Sequence, residues 1–226
     1  MSNWLFEGEV GRDWFGLDLF RPGPRFLRDG GCLYLLDEVG STNDFLLGRG
    51  SDAMGRRCLW DGWGWKGLAR QRLAPPPDVE PGAVAVARRQ TTGRGRLGRN
   101  WEDCGGLHLS VAVPPHRATL DQGFSVWLGL VSAMVLREDL RVDARLKWPN
   151  DILVGRRKLG GILLDTTGTG SERRVVAGLG LNLTTRRSGF PAPLQGVATS
   201  VRIEIGHDVK PGGLAGRIVS RVESEL

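Results

Sequence analysis

The sequence predicts an α+β domain built on a mixed, mostly antiparallel sheet flanked by helices. Three observations carry that prediction. Short apolar runs of strand length, separated by glycine-rich turns, recur from residue 32 onward. One longer segment, Gln122 to Leu136, repeats Phe124, Trp127, Leu128, Val131, Met134 and Val135 at helical spacing. Strands and helices are segregated along the chain, the pattern of α+β domains and not of a doubly wound parallel sheet. At 226 residues the chain can bury one good core with a small appendage.

Taken in order, residues 1–31 scatter Trp4, Phe6, Trp14 and Phe15 among glycine, proline and charges and read as a packed N-terminal arm, too short for a helix-turn-helix domain. Cys32 to Leu36 (CLYLL) is a strand, and STNDFLLGRG after Gly40 opens a short helix with Ser41 or Thr42 as N-cap. Residues 55–81, with WDGWGW and APPPDVEPG, read as a long loop or hairpin insertion. AVAVA at 83–87 and LHLSVAV at 107–113 are buried strands. After the helix come ARLKW, DILVG, KLGGILLD and RVVAGLGLNL, short strands with a hairpin at Gly155-Arg156-Arg157. Thr199 to Ile205 and Leu214 to Val222 close the domain as helices.

A formal charge of +6 favours an acidic partner without choosing among nucleotide, acidic protein and nucleic acid. Cys32, Cys58 and Cys104 are odd in number and lack C-x-x-C spacing, so neither a disulfide framework nor a zinc site is indicated and a reducing cytoplasm fits. No signal-peptide h-region and no run of 18 apolar residues point to secretion or a membrane span. Of 31 basic residues only Lys66, Lys147, Lys158 and Lys210 are lysine. Lys147 and Lys158 lie close together in sequence, which suggests that a compact ammonium is wanted there.

The stretch Arg89 to Trp101, RQTTGRGRLGRNW, alternates glycine with arginine. Glycine permits close approach of a ligand to the backbone. Arg94, Arg96 and Arg99 offer planar forks for phosphate or carboxylate and would repel one another without an anion. Gly93, Gly95 and Gly98 fit G-x-G-x-x-G, but the next residues, RNWEDCGG, are turn-like, with no helix or acidic residue at dinucleotide-fold spacing. Kinase signatures are missing too. A solvated surface loop is the bland alternative.

Four turn-rich signals flank the strands: STND at 41–44, QTTGRGRLGRNW at 90–101, KWPNDILV at 147–154 with RKLGGIL at 157–163, and GLGLNL at 178–183. In order, spacing and wording they resemble the catalytic domain of a biotin protein ligase, from about residue 32 to the end. The resemblance implies a class II aminoacyl-tRNA-synthetase-like sheet. It implies an ATP-dependent biotin–protein ligase that makes biotinyl-5′-AMP and transfers biotin to a lysine of a biotin carboxyl carrier protein. It assigns Ser41, Thr42, Asn43 and Gln90 to the ureido ring, where hydroxyls and amides both donate and accept. An N-cap is the plain alternative for Ser41. Gly93, Arg94, Gly95 and Arg96 match the loop over biotin and the adenylate, with Arg99 and Asn100 toward the nucleotide.

The same resemblance makes Lys158 the catalytic lysine, stabilising charge on the biotin carboxylate and α-phosphate without acting as a nucleophile. Lys147, Asn150 and Asp151 face the phosphates; Asp151 either helps hold Mg²⁺ or positions the incoming amine. Trp101 is an adenine platform, with core packing as its plain alternative, and Asn182 contacts the adenosine end. Gly161 and Gly178 let the ligand lie on the backbone. The cofactors implied are ATP with Mg²⁺ as a substrate complex and biotin as substrate, with no tightly bound metal, no DNA and no membrane.

Departures accompany the match. The family's small SH3-like C-terminal domain is expected to be absent, and Val197 stands where the family often has a tryptophan. The 55–81 aromatics read as a packed hairpin, a carrier dock or a homodimer contact. A lipoate or octanoate ligase-like acyltransferase shares the fold but does not need Gln90 or the GRGRLGR wording. A non-catalytic biotin-binding relic would not need both Lys147 and Lys158.

Overall fold

The computed structural model describes residues 14–23, 32–60, 64–78, 81–113, 121–169 and 173–224. Among them are ten strands: β1 (Cys32–Glu38), β2 (Ala53–Trp60), β3 (Trp65–Gly67), β4 (Gln71–Leu73), β5 (Val84–Ala87), β6 (Gly106–Val113), β7 (Ala144–Lys147), β8 (Asp151–Val154), β9 (Arg157–Thr167) and β10 (Arg174–Asn182). Four α-helices accompany them: α1 (Thr42–Leu46), α2 (Asp121–Leu140), α3 (Val201–Ile205) and α4 (Pro211–Ser224). The strands form one sheet in the order β3-β2-β1-β5-β6-β10-β9-β8-β7, with β4 also on β2. Every pairing is antiparallel except β1 with β5. The α+β expectation, mixed and mostly antiparallel, holds.

Side chains alternate between the faces of a strand, and here the two faces do different work. Leu33 and Leu35 of β1, Val84 and Val86 of β5, Leu107 and Leu109 of β6, and Val175, Ala177, Leu179 and Leu181 of β10 join the larger core with α2 and α4. Gly129 lets α2 sit close to the sheet, because a Cβ there would lie 2.5 Å from Leu146 Cδ1. On the opposite face Tyr34, Leu36, Ala85, Ala87, Ala112 and Val176 pack against Phe45 and Leu46 of α1. That second face continues past α1 into His108, Ser110, Gly178 and Gly180, where polar and small residues replace the apolar ones.

Of the long loop or hairpin insertion expected at 55–81, the described residues form a hairpin of β2 with β3. β2 spans Ala53–Trp60 and pairs with the whole of β1, so it is a strand of the main sheet. Its paired arginines, Arg56 and Arg57, break the apolar alternation that marks a strand. Gly55 is required where it stands, since a Cβ would overlap the Leu35 carbonyl oxygen. Trp60 and Trp65 meet edge to face at 5.6 Å, and Trp65 Nε1 donates to the Phe20 carbonyl at 2.9 Å. These contacts are those of a packed hairpin; Trp63 and residues 79–80 lie outside the described residues.

The described part of the N-terminal arm, 14–23, is core: Phe15 and Phe20 are fully buried against α4. Trp4 and Phe6 lie outside the described residues. Helix α2 runs four residues beyond the expected Leu136, because its polar last turn is held by α4: Arg217 Nε donates to Asp139 at 2.8 Å and Arg221 pairs with Glu138. Helix α3 starts at Val201, with Ser200 Oγ accepting from Ile203 N at 3.2 Å as its N-cap. Helix α4 starts at Pro211, a residue suited to the first helical position.

Candidate functional site

Three adjacent strands, β6, β10 and β9, lay a floor in two rows. Ser110 lies opposite Gly178, which lies opposite Leu163; one step along, His108 faces Gly180, Gly180 faces Gly161, and Gly161 faces Asp151 of β8. The rows are about 7 Å apart, two residues of strand. Over them lies a cavity of about 390 Å³, bounded by α1 and Gln90 at one end, by the glycine–arginine loop above, and by Lys147 to Asp151 with Lys158 at the other end.

The first row carries a polar cup. Thr42 N and Oγ1 both donate to Gln90 Oε1, at 2.7 and 3.0 Å. Ser110 Oγ lies 2.7 Å from Thr42 Oγ1 and 2.6 Å from Asn43 Oδ1. Asn43 Nδ2 donates to the Leu163 carbonyl at 3.1 Å and to Asp165 Oδ2 at 2.8 Å. Ser41 Oγ caps α1 by accepting from Asp44 N at 3.4 Å and also lines the cavity, so its two readings coexist. Thr42, Gln90, Ser110 and Asn43 bring two hydroxyl hydrogens to three close oxygen–oxygen contacts. The cup is therefore a set of amides and hydroxyls able to rearrange around a neutral polar guest.

Behind the cup, Asp103 supports Gln90. Its Oδ2 accepts from Gln90 N at 2.7 Å and its Oδ1 from Gly105 N at 3.0 Å, with His108 Nε2 also 3.0 Å away but poorly aligned for a hydrogen bond. Burial alone would push the Asp103 carboxyl up; the His108 imidazole and the two amides outweigh it and hold the carboxyl below its ordinary value. A depressed carboxyl adds stability above its unfolded-state pKa and loses it as pH falls through the lower folded one. Asp103→Asn is expected to cost about 1–3 kcal/mol near neutrality, and the difference from wild type should shrink as pH drops below the ordinary 3.8. Denaturant unfolding across that range measures both.

The second row leads to the cations. A bulge between β8 and β9 at Ile152/Leu153 inserts a residue, so Leu159 and Ile162, three apart, both enter the larger core. The slip turns Lys158 onto the cavity face beside Gly161, whose Cβ position lies 3.5 Å from Lys158 Cε. Lys158 Nζ is 2.6 Å from Asp151 Oδ1 and 5.8 Å from the Trp101 ring centre. Trp101 is wedged on Gly93 and Gly180, where Cβ atoms would come within 3.2 and 2.9 Å of it. Asn150 Nδ2 donates to the Ile162 carbonyl at 2.8 Å, pinning the KWPND turn to β9.

The cavity thus brings together nearly all the residues expected from sequence: Ser41, Thr42, Asn43, Gln90, Arg94, Gly95, Arg96, Arg99, Asn100, Trp101, Lys147, Asn150, Asp151, Lys158, Gly161 and Gly178. Gly93 and Asn182 are outside its lining. Gly93 is buried beneath Trp101, and Asn182, 8% exposed, donates Nδ2 to the Thr199 carbonyl at 3.0 Å, fastening the segment after β10. The expectation that three arginines lack an anion needs correction. Arg94 holds Asp44 through Nε and Nη2, at 3.2 and 2.7 Å, and Asp165 at 2.9 Å. Arg96 and Arg99 have no acidic partner among the described residues.

Sequence reasoning missed Ser110, His108, Asp103, Gly180, Asp44, Asp165 and Trp148. The first two and Gly180 had a signal: H-x-S in LHLSVAV and G-x-G in GLGLNL place polar or small residues at strand period on otherwise apolar strands. Among the described residues no group of three His, Cys, Asp or Glu is placed to hold a metal ion, and no helix is long and apolar enough to cross a membrane.

Fold and cavity define an α+β domain whose cavity is lined by amides and hydroxyls at one end and by cationic side chains at the other. Residues 72–182 match the Biotin/lipoate A/B protein ligase family. The bifunctional ligase/repressor BirA of Escherichia coli is 31% identical over 205 residues, covering 88% of this chain and 54% of that protein. A biotin–[acetyl-CoA-carboxylase] ligase of Paracoccus denitrificans is 34% identical over 147 residues, covering 62% and 61%. The biotin protein ligase of Aquifex aeolicus, solved in complex with biotin and ATP, superposes with a TM-score of 0.65 at 27% identity over 85% of this chain and 68% of that one. Residues 72–182 of the chain are thus similar to the biotin/lipoate A/B protein ligase family, and its fold is that of the biotin protein ligase catalytic domain. The chain spans about half the length of the Escherichia coli relative.

Proposed function

We propose that this chain activates biotin with ATP to biotinyl-5′-AMP and transfers the biotinyl group to a lysine of a biotin carboxyl carrier protein. The observation that carries the reading is the continuous floor from an amide and hydroxyl cup to a cationic rim. Biotin matches it in order, with a neutral ureido ring, an apolar chain and a carboxylate. The cup formed by Thr42, Asn43, Gln90 and Ser110 takes the ureido group, and the Gly178 and Gly161 backbone, with the Trp101 ring that covers Gly180, carries the chain toward Lys158.

In the first step a biotin carboxylate oxygen attacks the α-phosphorus of ATP and pyrophosphate leaves. Lys158, Lys147, Arg96 and Arg99 supply positive charge where it develops on the phosphoryl oxygens. In the second step the carrier lysine amine attacks the acyl carbon and AMP leaves. Mg²⁺ enters with ATP as substrate, and Asp151 is the carboxylate beside the phosphates that meets it, consistent with the few protein ligands this ion takes in nucleotide sites. Trp101 and Trp148, both in the cavity lining, offer surfaces for the adenine, and Asn182 supports that end through the Thr199 backbone.

The test is a single-turnover assay with biotin and MgATP, reading pyrophosphate release and enzyme-bound adenylate by mass spectrometry, with lipoate as competitor. Biotin-dependent adenylate unaffected by lipoate supports the reading; turnover of lipoate in its place would replace it with a lipoate ligase.

Arg96 has its own expected outcome. With no carboxylate partner among the described residues, its fork is available to the adenylate phosphate as the loop closes. Arg96→Ala is expected to raise the rate of adenylate release by about tenfold, the loss of one charge-assisted hydrogen bond. Release of labelled adenylate into filtrate measures it, and an unchanged rate removes Arg96 from that role.

A further inference from the structure

The unforeseen part of the site is the carboxylate pair that holds Arg94. Asp44 takes the guanidinium at two points, and Asp165 Oδ2 takes Nη2 at 2.9 Å. The same Asp165 oxygen accepts Asn43 Nδ2 at 2.8 Å. One oxygen on β9 therefore joins the cup to the first arginine of the glycine–arginine loop, although Asn43, Arg94 and Asp165 come from three distant parts of the chain.

We propose that Asp165 is a positioning residue that couples occupancy of the cup to closure of the loop. Arg94 is the strut through which it acts, not a receptor for the ligand's anions. The inference rests on reading the cavity as a biotin site.

Charge supports the strut. Arginine stays protonated at all working pH values, and two carboxylates already face this one. An incoming carboxylate or phosphate would meet little free positive potential at Arg94, whereas Arg96, Arg99 and Lys147 have no acidic partner among the described residues. Exposed ion pairs contribute little singly, but a bidentate fork in a network is the favourable exception. Asp165 is well shielded, its side chain 16% exposed.

Loop geometry supports it as well. Arg94 bridges to Asn100, Gly95 N donates to the Arg99 carbonyl at 2.7 Å, and Trp101 N to that of Gly93 at 2.9 Å. The base of the loop is a small hairpin closed at residue 94. Its tip carries Leu97, 89% exposed and at φ 58°, a conformation that an L side chain rarely takes. Anchoring Arg94 leaves only this tip to move. A guest that claims Asn43 changes what Asp165 Oδ2 holds, and hydrogen-bonded networks of this kind transmit such changes because their members polarise and orient one another.

Two measurements decide the matter. In the first, without ligand, chymotryptic cleavage after Leu97 is followed by mass spectrometry. Asp165→Asn and Arg94→Gln should each speed cleavage about fivefold, and the double variant no further. In the second, biotin affinity is measured by calorimetry: Arg94→Gln should weaken binding about tenfold when Asp165 is intact and less than about twofold in the Asp165→Asn background. Equal losses in both backgrounds, or additive effects on cleavage, overturn the proposal, since a direct ligand contact by Arg94 does not depend on Asp165.

If wild type binds no biotin, the functional reading fails, while the ligand-free cleavage still decides the strut. Near-ultraviolet circular dichroism establishes that each variant folds. Where Asp165→Asn does not, Asp165→Glu keeps the charge and answers the same question: non-additive cleavage with Arg94→Gln supports the strut, and additive cleavage overturns it.

Discussion

Replacing Lys158 by arginine is expected to slow adenylation by ~10²–10³, the effect of removing one preorganised charge-stabilising donor, while biotin affinity falls much less. The expectation comes from crowding around a point charge. Lys158 reaches the cavity face only through the β8–β9 bulge, and its ammonium fits between Asp151 at 2.6 Å and the Trp101 ring at 5.8 Å. A guanidinium is longer and planar, and its fork would chelate Asp151 instead of turning toward a phosphoryl oxygen. Arg157, one residue away, already pairs with Glu204 at 3.0 Å on the other side of the strand, so arginine is tolerated in this stretch. Lys66→Arg on β3 and Lys210→Arg before α4, remote from the cavity lining, should leave single-turnover adenylation unchanged. A near-normal rate for Lys158→Arg would mean that only net charge matters there.

How much of the molecule was legible in the sequence depends on how local each signal is. AVAVA and LHLSVAV declare β5 and β6 because both are central strands with buried faces, and the helical spacing of Phe124 to Val135 declares α2. The STND, GRGRLGR, KWPND and KLGG segments carry site residues in short words, so the cup and the cationic rim were readable together. β2 was not, because it lies near the sheet edge with Arg56 and Arg57 in its middle and a glycine dictated by contact with β1. Nor could the sequence show that Arg94 is already paired: its anions are 50 and 71 residues away, brought in by α1 and β9. Asn182 was legible only in part, for the complementary reason. Its word, GLNL, marks the site, but the side chain closes on the backbone of Thr199, a contact that only the fold creates.

At Gly178 a single methyl group should undo the cup. A Cβ built there would overlap Asn43 Oδ1 and lie 3.0 Å from its Cγ, and Asn43 has little room to retreat. Its amide is bonded to the Leu163 carbonyl, Asp165 and Ser110, and it is 4% exposed. Gly178→Ala is therefore expected to weaken biotin binding on the order of 10²-fold, within the 1–3 kcal/mol that overpacking a close-packed site commonly costs. Because Asp165 also holds Arg94, chymotryptic cleavage after Leu97 should rise in the same variant. Gly161→Ala provides the contrast. Its Cβ would be 3.5 Å from Lys158 Cε, an ordinary contact, so the ligand-free protein should accept it with no change in loop cleavage. Any loss of biotin affinity at Gly161 then reports the ligand lying against the strand itself. Calorimetry on the two variants separates the cases: a Gly178→Ala protein that binds biotin as wild type does would show that Asn43 is not part of the cup.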